Sequence, residues 1–146
     1  MKITTKQCIS ILKFINAMGI KKDLIDGIKK IMTANKNIDL INKTIASKLQ
    51  DKSSVDEVAK FLMENPSVRD EMDRLSEEQQ GVLLELVYLI IEGIPRAEDI
   101  FYKTIAEIKN VEVEEIKNAD ALETVKTLQE IVNSDTFMGF FQLQMK

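Results

Sequence analysis

Apolar residues recur at spacings of three and four along most of the chain, which is the period of an α-helix with one buried face. The first predicted helix is a clear example, with Ile11, Ile15 and Met18 on one face. Thr4 or Thr5 can cap its start, and Gly19 is its stop signal. No stretch alternates between apolar and polar residues for long, so strands are not predicted. The pattern predicts an all-α fold, a compact bundle of about seven to nine short helices in a single domain, residues 1–146.

One predicted helix, at about residues 77–92, is so apolar that we expect the bundle to form around it. Its apolar run, residues 82–91, is interrupted only by Glu85. Ser76 and Gln79 have the spacing of a capping box, which begins a helix, and Gly93 ends it. A helix that is apolar nearly all round belongs inside a fold, so we expect this one to be buried on every side. It is too short for the ~20 residues that a membrane span needs.

Polar residues predict two further helix boundaries. A second helix at about residues 22–33 and a third at about 38–49 are separated by a predicted turn, Asn-Lys-Asn, at residues 35–37. A short helix after Pro66 is expected to end before Ser76, where the apolar central helix begins.

Charge is distributed unevenly between the two ends of the chain. Residues 1–50 contain ten Lys and three Asp, a net charge of +7, and residues 51–146 contain ten basic and twenty-one acidic residues, a net charge of −11. A soft boundary is predicted at residues 50–53, where the sign changes. The asymmetry fits a nucleic-acid partner on the basic side, head-to-tail association of copies, or two solvated faces of one monomer.

The residues that most reaction classes need are missing. The chain has no His, which is the usual general base near neutral pH and the commonest metal ligand, and it has no Gly-rich phosphate loop. Its single cysteine, Cys8, excludes an internal disulfide and lies on an apolar helix face, as a packed thiol does. The sequence therefore predicts a protein that is not an enzyme and that has no cofactor or metal site.

The last predicted helix is the segment that we single out as a candidate binding site, and it follows a predicted break and new cap at residues 133–135. Three of the six Phe residues lie in it, close to the end of the chain. The helix either docks on the core and closes the domain, or lines a groove for the apolar helix of a partner together with adaptable Met side chains. The candidate partner-binding residues are Phe137, Met138, Phe140, Phe141 and Leu143.

Several strings near the C-terminus resemble one protein family in their order of appearance. They are EEIKNADALE at residues 114–123, TLQEIV at 127–132, DTF at 135–137 and the pair Phe140-Phe141. This order is similar to the end of the tail assembly chaperones of long-tailed bacteriophages of Gram-positive hosts. The resemblance covers about residues 76–146, and each motif taken alone is a generic helix boundary.

The resemblance implies a non-enzymatic assembly factor. It would bind the tape measure protein, a long apolar helical chain, and keep it soluble until tail-tube subunits replace it. It would associate with itself into a multi-copy spiral or ring, act in the host cytoplasm and be absent from the mature virion. The alternative is a small helical nucleic-acid-binding regulator that uses the basic half, residues 1–50. The net charge of −4 and the scarcity of Arg make nucleic acid the weaker expectation.

Overall fold

A computed structural model describes residues 1–49 and 54–144, and the predicted all-α class is confirmed for them, with eight α-helices and no strand. The boundary predicted at residues 50–53 lies outside the described residues. A 3₁₀ turn, Ile94–Arg96, follows the fourth helix. The helices are α1 Thr5–Met18, α2 Lys21–Lys48, α3 Val55–Glu64, α4 Pro66–Gly93, α5 Glu98–Lys109, α6 Val113–Lys117, α7 Ala121–Val132 and α8 Asp135–Gln144.

The chain divides into two compact units. Unit 1 comprises Met1–Ile28 and Leu84–Lys146, and unit 2 comprises Lys29–Leu83. The division falls within α2 and α4, so each of these two helices contributes to both units. A single domain over the whole chain stays a prediction.

Helix α1 is the element that the sequence predicts best. Thr4 caps it in a capping box with Gln7, and Gly19 ends it in the left-handed conformation, with φ of 71°. In unit 1 the helix packs against α5, where the ring centroids of Phe14 and Phe101 are 5.5 Å apart. Both rings are buried, so the apolar stripe read from the sequence is a core face.

The turn predicted at residues 35–37 is wrong, because α2 continues through it as one helix of 28 residues. The buried face continues across the segment with Ala34 before it and Ile45 after it. The Asn35 side chain accepts a hydrogen bond from Gln79 of α4. Asn costs a helix only a few tenths of a kcal/mol relative to Ala, which burial of the neighbouring apolar side chains easily exceeds.

The boundary predicted at Ser76 is also wrong, because α4 is one helix from Pro66 to Gly93. Leu75 is 1% exposed, so the apolar packing of unit 2 continues up to the predicted break. The Arg74 guanidinium bridges Glu71 at 2.6 Å and Glu78 at 3.3 Å, pairs at helical spacings that span the same point. Ser76 therefore lies within the helix and caps nothing.

The apolar half of α4 is not buried on every side, which corrects the expectation drawn from its composition. Leu86 and Ile90 are 2% and 6% exposed, whereas Leu84 and Tyr88 are each 62% exposed. Only one face of this segment contacts the core of unit 1. This segment of α4 is therefore apolar on nearly every side but buried on only one.

Gly27 marks a close approach between α2 and α4 within unit 1. A Cβ atom built on this glycine would overlap the Cδ2 atom of Leu86, a side chain that is itself buried. Glycine usually weakens a helix, but here the absent side chain allows the two helices to pack closely.

None of the described helices combines the length and the apolar character that crossing a membrane requires.

Candidate partner-binding surfaces

Helix α8, Asp135–Gln144, holds all five residues that the sequence singled out, and they differ in exposure. Phe137 and Phe141 are buried at 5% and 6% exposure, with ring centroids 4.9 Å apart. Met138 and Phe140 are half-buried, and Leu143 is 73% exposed.

Two of the five candidate residues are therefore core residues of unit 1. Phe137 lines a cavity of about 20 Å³ together with Phe14 of α1 and Val132 of α7, so its ring fills the interior. Of the two alternatives drawn from the sequence, docking of the last helix on the core is the one that fits Phe137 and Phe141. Binding of a partner by α8 stays a prediction, and only Met138, Phe140 and Leu143 have surface available for it.

Ser134 fixes the start of α8. Its hydroxyl oxygen accepts a hydrogen bond from the Phe137 N–H at 3.1 Å, and its O–H donates one to the Ile131 carbonyl at 2.7 Å. The break predicted between α7 and α8 is confirmed, and the cap is 5% exposed. Water cannot readily replace a cap that is buried, so this side chain holds the first turn of α8 on the core.

Replacing Ser134 with alanine is expected to lower the free energy of unfolding by about 1–2 kcal/mol, because the Phe137 N–H loses its acceptor inside the protein. Urea unfolding monitored by circular dichroism measures this change. Ser54→Ala is the matched control, since Ser54 caps α3 in the same way at an exposed position. Equal losses for the two variants would contradict the importance of burial at Ser134.

Unit 2 contains an apolar groove that the sequence did not predict. The groove lies between α2, α3 and α4 and has a volume of about 280 Å³. Its apolar lining is Leu40, Ile41, Ile45, Phe61 and Val68. Leu40 is 53% exposed, so part of this lining faces solvent.

Helix α3 forms one wall of the groove and has no buried residue. Most of its apolar side chains, Val55, Val58, Phe61 and Leu62, nevertheless lie on one face, the pattern of a helix that packs on another surface. Phe61 and Leu62 are half-buried, while Val55 and Met63 are 85% and 75% exposed. An amphipathic helix without a buried residue leaves apolar surface available for a partner.

One cation and one carboxylate are among the side chains that line the groove. The Lys48 ammonium is 5.9 Å from the centroid of the Phe61 ring. Glu71 of α4 also lines the groove, and the hydrogen bond from Arg74 holds the pKa of the Glu71 carboxyl below its ordinary value. The lining of the groove thus combines apolar side chains with a cation and a carboxylate, a combination suited to an apolar helix with polar flanks.

The methionines considered for a groove from the sequence, at residues 18, 32, 63, 72 and 138, do not line the groove of unit 2. Met18 is 2% exposed in the core of unit 1, and Met138 lies half-buried in the same unit. Met32, Met63 and Met72 belong to unit 2 and do not line its groove. The amphipathic pattern of α3, with Phe61 on its apolar face, is the sequence signal that could have found this groove, but it says nothing of the lining side chains of α2 and α4.

Within residues 1–49 and 54–144, no group of three or more His, Cys, Asp and Glu side chains is positioned to hold a metal ion. Burial raises the pKa of the half-buried Cys8 thiol, which favours its protonated form. The arrangement provides binding surfaces of apolar and charged side chains.

Comparisons with protein-family models, with curated proteins and with solved structures found no match to this chain.

Proposed function

We propose that this protein is a non-enzymatic chaperone of phage tail assembly that binds the apolar helical tape measure protein and keeps it soluble before the tail tube polymerises. The observation that carries this proposal is the open apolar groove of unit 2, formed with an amphipathic helix that has no buried residue. The resemblance of residues 76–146 to tail assembly chaperones supplies the identity of the partner.

A groove of this kind suits a helical partner for two physical reasons. Apolar side chains at positions i, i+3, i+4 and i+7 of a helix can occupy a groove between helices. Removing apolar surface from water contributes about 25 cal/mol per Å², and this contribution does not depend on the partner's exact sequence. Many copies bound along one long apolar chain would together hold it strongly, although each single contact is weak.

The remaining parts of the proposal follow from the same resemblance. The protein would act in the host cytoplasm, associate with itself into a spiral or ring along the tape measure protein, and be absent from the mature virion. Exposed Leu84 and Tyr88 in unit 1 add apolar surface outside the groove.

Phe61→Asp is expected to weaken binding of an apolar helical fragment of the tape measure protein by about 30-fold or more. An aromatic residue at the centre of an apolar contact is commonly worth 2 kcal/mol or more, and each 1.4 kcal/mol is a factor of ten. The fragment would be co-expressed with this protein, and the soluble complex measured by size-exclusion chromatography with light scattering. Titration with a labelled fragment gives the change in dissociation constant.

Met63→Asp is the matched control, because Met63 lies on α3 two residues from Phe61, on the opposite face of the helix, and is already 75% exposed. This variant is expected to bind as the unchanged protein does. Circular dichroism of both variants verifies that α3 remains folded. A folded Phe61→Asp variant that still solubilises the fragment would show that the groove is not the binding site.

A further inference from the structure

Helix α2 carries a row of exposed lysines along its outer side in unit 2. Lys29, Lys36 and Lys43 are seven residues apart and all exposed. Seven residues are nearly two helical turns, so the three side chains lie on one face at intervals of about 10.5 Å. That face is opposite the buried residues Ala34 and Ile45. We call these three lysines the basic row.

Helix α4 carries exposed carboxylates along its outer side in the same unit. Asp70, Asp73 and Glu77 are all exposed and share one face at spacings of three and four. That face is opposite Leu75 and Val82, which are 1% and 7% exposed. We call these three carboxylates the acidic row.

The two rows lie on opposite outer faces of unit 2. Helices α2 and α4 turn their inner faces toward each other, since both line the groove and Gln79 of α4 hydrogen-bonds to Asn35 of α2. Each row is on the far side of its own helix from that helix's buried residues. Unit 2 therefore presents a positive face on one side and a negative face on the other.

We propose that copies of this protein associate through unit 2, with the basic row of one copy against the acidic row of the next. This inference rests on the self-association included in the proposed function and names its surface. Complementary charge steers two such faces together and fixes their alignment. Because the two faces differ, each copy leaves one row free for another copy, and the association continues into a ring or an open helix.

A second copy is favoured over nucleic acid as the partner of the basic row. The matching acidic row is present on the same unit, whereas a nucleic acid would be repelled by it. The basic row also lacks Arg, which holds phosphate groups in a bidentate manner.

The test exchanges the charges of each row. One variant replaces Lys29, Lys36 and Lys43 with Glu, and a second replaces Asp70, Asp73 and Glu77 with Lys. Each variant alone presents two faces of like charge and is expected to be monomeric by light scattering at 50 mM NaCl. An equimolar mixture restores both contacts, because each variant then meets the opposite charge, and it is expected to form oligomers of alternating copies.

A matched control replaces three exposed lysines of unit 1, Lys13, Lys103 and Lys109, with Glu and is expected to associate as the unchanged protein does. Association of the unchanged protein is expected to weaken about tenfold or more between 50 and 500 mM NaCl, because exposed charges are screened. A mixture that stays monomeric, or row variants that still associate alone, would overturn the proposal. So would gel retardation of DNA by the unchanged protein with no association of copies.

Binding of the tape measure fragment is measured on the same variants. Both row variants keep the groove residues and are expected to bind the fragment as single copies. Loss of association with fragment binding retained supports the rows as the contact between copies. Absence of fragment binding by every protein, with association intact, would instead count against the proposed function and leave the contact between copies in place.

Discussion

Phe137→Ala is expected to lower the free energy of unfolding by about 3–5 kcal/mol, the range found when a buried aromatic ring is truncated to a methyl group. The ring is 5% exposed, lies 4.9 Å from the Phe141 ring between centroids, and lines a cavity that is already present in the core of unit 1. Truncation would enlarge that cavity, and neighbouring side chains would lose their contacts with the ring. Such a loss is a large part of the 5–15 kcal/mol that stabilises a typical domain.

Phe140→Ala is the control within the same helix. Phe140 is half-buried and contacts Phe141 edge to face at 5.5 Å between ring centroids, so its truncation is expected to cost clearly less than that of Phe137. Urea unfolding followed by circular dichroism compares the two variants. If Phe137→Ala is as stable as the unchanged protein, α8 does not belong to the core. A stable Phe140→Ala variant that loses the tape measure fragment would support partner binding by α8.

Glu77→Pro is expected to cost about 3 kcal/mol or more in the free energy of unfolding. Glu77 lies inside α4, where proline removes a backbone hydrogen bond and its ring clashes with the preceding turn. The capping box read from the sequence placed residue 77 at the first position of a helix, where proline is well tolerated. The stability of this variant therefore distinguishes a continuous α4 from two helices that meet at Ser76.

Glu77→Ala controls for removal of the exposed carboxylate and is expected to change stability by less than about 0.5 kcal/mol. Thermal unfolding and helix content by circular dichroism give both values. A Glu77→Pro variant with unchanged stability would show that α4 is interrupted there. A destabilised variant with its alanine control unchanged supports the 28-residue helix.

The candidate site was predicted only in part. Density of Phe residues drew attention to α8, but density does not distinguish a ring that fills the core from one that faces solvent. Phe137 and Phe141 are four residues apart and share the inward face, while Leu143 lies on another face and is exposed. The groove of unit 2 escaped prediction because its lining comes from three separate helices, and the pattern within one helix does not show how that helix is placed against the others.

The sequence by itself determined the features that depend on neighbouring residues. The all-α class followed from the apolar period, and the ends of α1 followed from Thr4 and Gly19, whose side chain and backbone preferences act locally. The cap at Ser134 was predicted in the same way.

Only the tertiary structure decided where helices continue and which apolar faces are covered. Polar residues at 35–37 and Ser76 have weak local preferences, and the packing of Leu75 and Ile45 outweighs them. The exposure of Leu84 was likewise set by which helices surround α4, which composition does not encode. The burial of a side chain depends on which neighbours the fold brings around it, so only the tertiary structure shows it.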